Sequence, residues 1–293
     1  MPEILENVSL KKFNTFGVEA TARWFTEIKS ETDLVDLFSD SSWKSRERLV
    51  LGGGSNILLT QDFDGLVIRM NIKGMNFTEE GNEIIVSAGA GEVWQDLVLY
   101  CVDKGFAGME NLSLIPGSVG ASPIQNIGAY GVELKDVFLS CRLFDIESGI
   151  IHTLNKEECD FEYRDSIFKK GLKGKVVITS VNFLLSKTSS VNLSYGAIAD
   201  ELRKRNIEKP GIKEVSEVVS SIRVSKLPDP STIGNSGSFF KNPVISSEDF
   251  QKLQSAFPDI VHYCLPNSTI KLAAGWLIEQ CGWKGKKVGE AGT

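Results

Sequence analysis

The sequence predicts an α+β protein of more than one domain, on three observations. Its 293 residues exceed what one ordinary hydrophobic core organises. Short β-like runs bounded by glycine or charged turns fill the first two thirds, and helical patterns interrupt them to make αβ units. From Lys209 the character changes, and helical faces dominate.

Taken in order, Ser30 with Asp33 reads as a capping box opening a helix through DLVDLFSD, whose Leu34, Leu37 and Phe38 share a face. RLVLGG (48–53), GLVIRM (65–70), EIIVSAG (83–89), CRLFDI (141–146) and KVVITSVNFLL (175–185) read as strands. A second helix from about Glu92 is expected to set Val93, Leu97, Tyr100 and Cys101 against the sheet. KPGIKE then leads into a helix whose Val215, Val218, Val219 and Ile222 fall at i, i+3, i+4 and i+7. Arg223 and Lys226 sit at or just beyond its C-terminal end, where the helix dipole favours cations. Phe250, Leu253 and Phe257 are expected to line a further helix, and Leu272 with Trp276 the last one, which Gly282 ends.

Composition removes several function classes. Hydrophobic residues make up 42% and charged residues 24% of the chain, values of a soluble globular protein. No run approaches the roughly 18 to 20 apolar residues that cross a bilayer. The stretch MPEILENVSLKKFN lacks the apolar core of a secretory signal, so the expected compartment is the cytoplasm. The net charge of −6, without a Lys/Arg cluster, argues against a nucleic-acid partner. Cys101, Cys141, Cys159, Cys264 and Cys281 lie far apart in no metal-ligand spacing, and only His152 and His262 add to them, so reduced thiols and no metal are expected.

Two glycine-rich stretches carry the candidate chemistry. LGGGSN (51–56) follows a strand. Gly52, Gly53 and Gly54 would let backbone N–H groups approach an oxyanion, with Ser55 and Asn56 as further donors. A tight turn between strands accounts for this stretch equally well when it is taken alone. It is not a Walker loop, because no Gly-Lys-Ser/Thr follows, and it does not open a helix in the dinucleotide pattern. The second stretch, IPGSVGASPIQNIGAYG (115–131), has the length and composition of an ordered loop wrapped around a ligand. Its backbone donors suit a pyrophosphate, and Gln125 and Asn126 could hydrogen-bond a polar heterocycle. In YRDSIFK (163–169), Arg164 stands beside an acid, an arrangement more common in surface ion pairs than in catalysis. In GNSGSFFKNP (234–243), Ser238 lacks both a Gly-x-Ser-x-Gly elbow and a base, so if it reacts a donor role fits better than that of a nucleophile. A serine hydrolase would need that base.

Together with NTFGVEA (14–20), GMENLSLIPGSVGASPIQNIGAYGVEL (108–134), KLPDP (226–230) and KLAAGWLIEQCGWKG (271–285), these motifs resemble the UDP-N-acetylenolpyruvoylglucosamine reductase family in order and extent. The resemblance implies a two-subdomain FAD-binding fold of the vanillyl-alcohol oxidase (PCMH) type plus a C-terminal α+β substrate-binding domain. The expected boundaries are 1–70, 71–227 and 228–293. It implies FAD as cofactor, NADPH as hydride donor and the enolpyruvyl ether of UDP-N-acetylglucosamine as substrate, in a monomeric enzyme. Peptidoglycan precursor synthesis is the implied setting.

By the same resemblance, FAD is held by Gly52 to Asn56, by Pro116, Gly117, Ser118, Val119, Gly120, Ser122, Gln125, Asn126, Gly128 and Ala129, and by Ile178 and Arg223. Arg223 would face the flavin edge that becomes anionic on reduction. Arg164 would pair with the substrate carboxylate and Ser238 would deliver the proton. Tyr130, Tyr163, Tyr195, Lys226 and Asn242 would hold the nucleotide sugar and its diphosphate. Tyr195 in LSYGAI marks the longer of the family's two subtypes. Members of that subtype continue past GEAGT to a catalytic glutamate, so the sequence also raises the expectation of a truncated chain that is weak or inactive, or a non-catalytic FAD- or nucleotide-binding fragment.

Overall fold

A computed structural model describes residues 1–188 and 190–293, which divide into two compact units, Met1–Gly237 and Ser238–Thr293. The first unit opens with β1 (Ile4–Ser9), β2 (Thr21–Ile28), α1 (Glu31–Ser39), α2 (Ser41–Ser45), β3 (Arg48–Leu51) and β4 (Phe63–Met70). These strands form a mixed sheet in the order β1-β2-β4-β3, with β1 antiparallel to β2 and the other pairs parallel. The chain continues through β5 (Met75–Glu80), β6 (Glu83–Gly89), α3 (Trp94–Asp103) and the short hairpin β7 (Gly128–Ala129) and β8 (Val132–Glu133). Then follow β9 (Phe138–Asp145), β10 (Ile151–Asn155), β11 (Val176–Ser186), α4 (Gly196–Lys204) and α5 (Ile212–Lys226). The second sheet is antiparallel throughout, in the order β10-β9-β11-β6-β5.

Helix α1 joins the two sheets of this unit. The Ser30 hydroxyl accepts the Asp33 N–H, and the Asp33 carboxylate accepts the Ser30 N–H at 2.9 Å, so the expected capping box is present. Leu34, Leu37 and Phe38 are buried in a cluster that also takes Leu66 and Ile68 from β4 and Phe144 and Val177 from the second sheet. Phe38 stacks on Phe144 at 5.7 Å, and Glu31 receives the Arg142 guanidinium at 2.7 and 3.0 Å. Each of the three apolar side chains contributes roughly 1.5–3 kcal/mol by leaving water.

The larger core lies under the second sheet, where Trp94, Leu97, Val98 and Cys101 of α3 meet Val86, Val181 and Phe183. The helix begins two residues later than its pattern suggested. Val93 is therefore its exposed N-cap, and Trp94 takes the inward position. Val215, Val218, Val219 and Ile222 of α5 are buried against Ile198 and Leu202 of α4.

The second unit contains β12 (Val244–Ser246), α6 (Ser247–Ala256), β13 (His262–Cys264), β14 (Thr269–Leu272), α7 (Ala274–Gln280), β15 (Lys287–Val288) and β16 (Ala291–Gly292). Its sheet runs β12-β14-β13, all antiparallel. Two expectations are corrected here, and a third, the helix stop at Gly282, is met. Leu272 belongs to β14, where Ile270 and Leu272 alternate inward. Of the residues assigned to α6, only Phe250 is buried, while Leu253 and Phe257 are exposed. Gly282 follows α7 at φ +71°, as a helix stop requires.

Candidate functional site

The two glycine stretches come together in the first unit. Leu51 ends β3 in the core, and the chain then turns so that the Ser55 hydroxyl donates to the Pro116 carbonyl at 3.1 Å and Asn56 Nδ2 donates to Gln125 Oε1 at 2.9 Å. Glycine is needed because the loops nearly touch. A Cβ on Gly52 would lie 2.1 Å from Ser118 Oγ, and one on Gly53 would lie 3.0 Å from Gly117 Cα. Gly54 sits at φ +63° with its carbonyl accepting the Thr15 N–H at 3.1 Å, and a Cβ there would be 2.0 Å from the Phe13 carbonyl oxygen. The side chains of Ser55 and Asn56 are thus engaged in joining the loops.

Beside this junction lies a cavity of about 350 Å³ lined by Gly52, Ala90, Ser118, Gly120, Val177 and Ile178, so four of the expected cofactor residues share one wall. Ser118 Oγ is buried with no hydrogen-bond partner. Buried hydroxyls almost always have one, and an orphan at the edge of a glycine cradle fits a phosphate or ribose oxygen. FAD therefore suits the residues present.

The rest of the loop is more structural than its composition suggested. Val119 is in the core, and the Ser122 hydroxyl donates to the Val119 carbonyl at 2.7 Å. Asn126 is fully buried, and its carboxamide contacts Glu133 Oε2, the Glu162 carbonyl and the Lys135 N–H at 3.0–3.1 Å. Its side chain holds the loop in place, a correction to the expectation that it reads a heterocycle. Among the expected residues, Pro116, Asn126 and Gly128 meet the other candidate groups through their carbonyls.

A second feature is a cationic corner. Arg223, in the last turn of α5, donates from Nε to the Leu114 carbonyl at 3.1 Å and hydrogen-bonds the Tyr130 phenol. Burial lowers the Arg223 pKa from its ordinary value; the Tyr130 phenol opposes that shift, and nearby Arg164 adds to it. Burial likewise raises the Tyr130 pKa, moderated by Arg223. Arg164 donates to the Asn126 and Gly128 carbonyls at 3.3 and 2.5 Å and lies 5.7 Å from the Tyr163 ring centre. Tyr195, at the start of α4, meets Tyr130 edge to face at 5.2 Å. Two guanidiniums held by carbonyls and a phenol leave positive charge for an anion such as a carboxylate.

Strain collects in the same corner. Leu114, Asn126, Tyr130 and Arg164 are four of the eight described non-glycine residues with positive φ, at +59°, +44°, +51° and +57°. Such conformations cost roughly 1–3 kcal/mol each and persist where the surroundings enforce them. Leu114 is gripped on both sides, with its N–H donating to Gln95 of α3 and its carbonyl accepting Arg223. Sequence reading missed Gln95, Asn111 and Leu114. Asn111, a polar residue inside GMENLSL, was the one visible signal.

Lys226 ends α5 and is exposed. In the second unit, Ser238 is exposed on an irregular segment just after Gly237, itself at φ +73°. Phe239 and Phe240, which follow it, are 88% and 62% exposed. Asn242 Oδ1 accepts the Ala274 N–H at 3.0 Å and so caps α7, which leaves its Nδ2 as the free polar group.

A family model described as "FAD binding domain" matches residues 23–155. A second, described as "UDP-N-acetylenolpyruvoylglucosamine reductase, C-terminal domain", matches residues 229–293. The UDP-N-acetylenolpyruvoylglucosamine reductase of Flavobacterium johnsoniae is 48% identical over 99% of this chain and 86% of its own length. This chain belongs to the UDP-N-acetylenolpyruvoylglucosamine reductase family. The reductase of Amoebophilus asiaticus is 50% identical over 97% of this chain and 84% of its own. The solved UDP-N-acetylenolpyruvylglucosamine reductase of Thermus caldophilus superposes with a TM-score of 0.66 at 23% identity, over all of this chain and 84% of that one, and so shares the reductase fold. The α+β class, with an FAD-binding fold followed by a C-terminal domain, is borne out.

Proposed function

We propose that this chain is a flavin-dependent oxidoreductase that reduces the enolpyruvyl ether of UDP-N-acetylglucosamine to UDP-N-acetylmuramate with NADPH, in peptidoglycan precursor synthesis. The observation that carries this reading is the junction of the two glycine loops, with the orphaned Ser118 hydroxyl inside it, in a chain nearly half identical to named reductases. FAD, when bound, supplies the passage of two electrons from NADPH to the substrate.

The remaining work falls to side chains. Gly52 to Asn56, Pro116 to Gly120 and Ile178 would hold the cofactor, and the orphaned Ser118 Oγ would be free to donate to it. Arg223, fixed by the Leu114 carbonyl and Tyr130, would set a positive charge beside the bound cofactor. Arg164 binds the substrate carboxylate through its fork of donors. The substrate's C2 carbon then receives the proton from the Ser238 hydroxyl, which needs position more than an adjusted pKa because a carbanion next to a carboxylate is a strong base. Tyr130, Tyr163, Tyr195, Lys226 and the Nδ2 of Asn242 hold the nucleotide sugar. In this reading residues 1–70 and 71–227 are the two cofactor subdomains and 228–293 the substrate domain. The enzyme is monomeric and works in the cytoplasm. Among the described residues no helix is long and apolar enough to cross a membrane.

The test is direct. The purified chain, loaded with FAD, should bleach on NADPH under anaerobic conditions and recover its colour when the enolpyruvyl substrate is added. A chain that cannot take up FAD, or a bleached chain that stays bleached with substrate, refutes the proposal.

A further inference from the structure

Asn111 lies in the turn Glu110–Leu112 and is 1% exposed. Its carboxamide nitrogen donates to the Tyr130 carbonyl at 3.0 Å and to the Asn192 carbonyl at 2.9 Å, so both of its hydrogens are used on segments distant in sequence. Asn192 in turn accepts the Ser194 N–H and hydroxyl at 3.0 and 2.6 Å and donates to the Gly131 carbonyl at 3.4 Å. The segment leading into Tyr195 is thereby braced against the loop that carries Tyr130. Asn111 Oδ1, by contrast, is buried without a partner.

That orphan oxygen is informative. An unpaired buried acceptor is destabilising, and a leucine of similar size would remove it. What leucine lacks is a single atom that donates twice. Tyr130 needs such a hold, because its φ of +51° is costly and its ring must meet both Arg223 and Tyr195. We infer that Asn111 is a positioning residue: its carboxamide fixes Tyr130 against Tyr195 and so prepares the surface that receives the nucleotide sugar. The inference rests on the reading of those two tyrosines as substrate-holding groups.

The experiment uses the FAD-loaded full chain and two variants, Asn111→Leu and Asn111→Asp. Binding of the enolpyruvyl substrate is followed by perturbation of the flavin spectrum, and backbone hydrogen exchange is followed at residues 128–131 and 190–196. Losing two net hydrogen bonds should weaken substrate binding by roughly tenfold to a hundredfold in Asn111→Leu. Flavin reduction at saturating NADPH should stay within about twofold, and exchange should quicken in both segments.

Asn111→Asp adds a readout that simple space-filling cannot produce. Burial and two facing carbonyls raise the introduced carboxyl's pKa, so at low pH it is neutral and keeps one donor. Affinity should be partly restored there and fall towards that of Asn111→Leu as pH rises, a step absent from the unmodified chain. Unchanged affinity in Asn111→Leu, a loss without faster local exchange, or a pH-flat Asn111→Asp overturns the inference. Should Asn111→Leu fail to fold, the pH step of Asn111→Asp decides. Faster exchange at both segments in a chain whose unmodified form takes no substrate would instead preserve the anchor and refute the functional reading.

Discussion

Substituting Gly54 by alanine tests whether the glycine cradle is a matter of geometry. At φ +63° any L side chain costs roughly 1–2 kcal/mol. Here the added carbon would also lie 2.0 Å from the Phe13 carbonyl oxygen and 2.8 Å from Asn14 Cα, both backbone atoms. Ordinary contact with the oxygen begins more than about 1 Å further out, so the segment must shift, at an overpacking cost of about 1–3 kcal/mol. The expected total is about 2–5 kcal/mol. Gly149, in the turn between β9 and β10, is the matched control, with φ +72° and nothing within 4 Å of an added Cβ. Gly149→Ala should cost only the backbone share. By calorimetry on the FAD-free chain, Gly54→Ala should melt about 5–15 °C low and Gly149→Ala about 2–6 °C low. Melting points for the two variants within about 2 °C of each other would refute the close-approach argument.

Ser118→Ala should leave the FAD-free chain as stable or slightly more stable, since it deletes an orphan hydroxyl, while FAD affinity measured by titration falls about tenfold. Ser238→Ala should preserve flavin reduction by NADPH and slow reoxidation by substrate by orders of magnitude in stopped-flow absorbance; equal losses in both halves would count against the proton-donor role. Asn242→Ala removes the cap on α7 and should destabilise the second unit by about 1 kcal/mol in denaturant melts. Tyr130 titrates above its usual 10.0 in the folded chain, so its stabilising share is complete below that pH and is lost as pH rises through the folded value. Because Arg223 lowers that value, Arg223→Met should move the Tyr130 phenolate transition, followed by ultraviolet absorbance against a Tyr130→Phe control, to still higher pH.

Legibility in the sequence followed the range of the interaction. The capping box at Ser30 and Asp33 and the buried face of α5 are decided within one or two helical turns, and both were readable. Leu272 and Trp276 stand four apart like neighbours on a helix, yet Thr269–Leu272 alternates as a strand, and pairing with both β12 and β13 decided between the two patterns. β1 was missed because four of its six residues are exposed and its pattern shows no alternation. In the site, the glycine stretches announced a cradle. That Gly52 and Gly53 are required by Ser118 and Gly117, some 65 residues away, depends on a contact between loops that spacing does not encode. Arg223 likewise looked like a helix-end cation until the Leu114 carbonyl and Tyr130 gave it a place.

The left-handed backbone at Leu114, Tyr130 and Arg164 carries an evolutionary consequence. In a lineage selected only for heat resistance, these positions would drift towards glycine or asparagine, which adopt that conformation cheaply. A lineage held to turnover would keep the bulky residues and recover stability elsewhere. Laboratory evolution under the two regimes should separate first at these three codons, before any change reaches the glycines of the two loops.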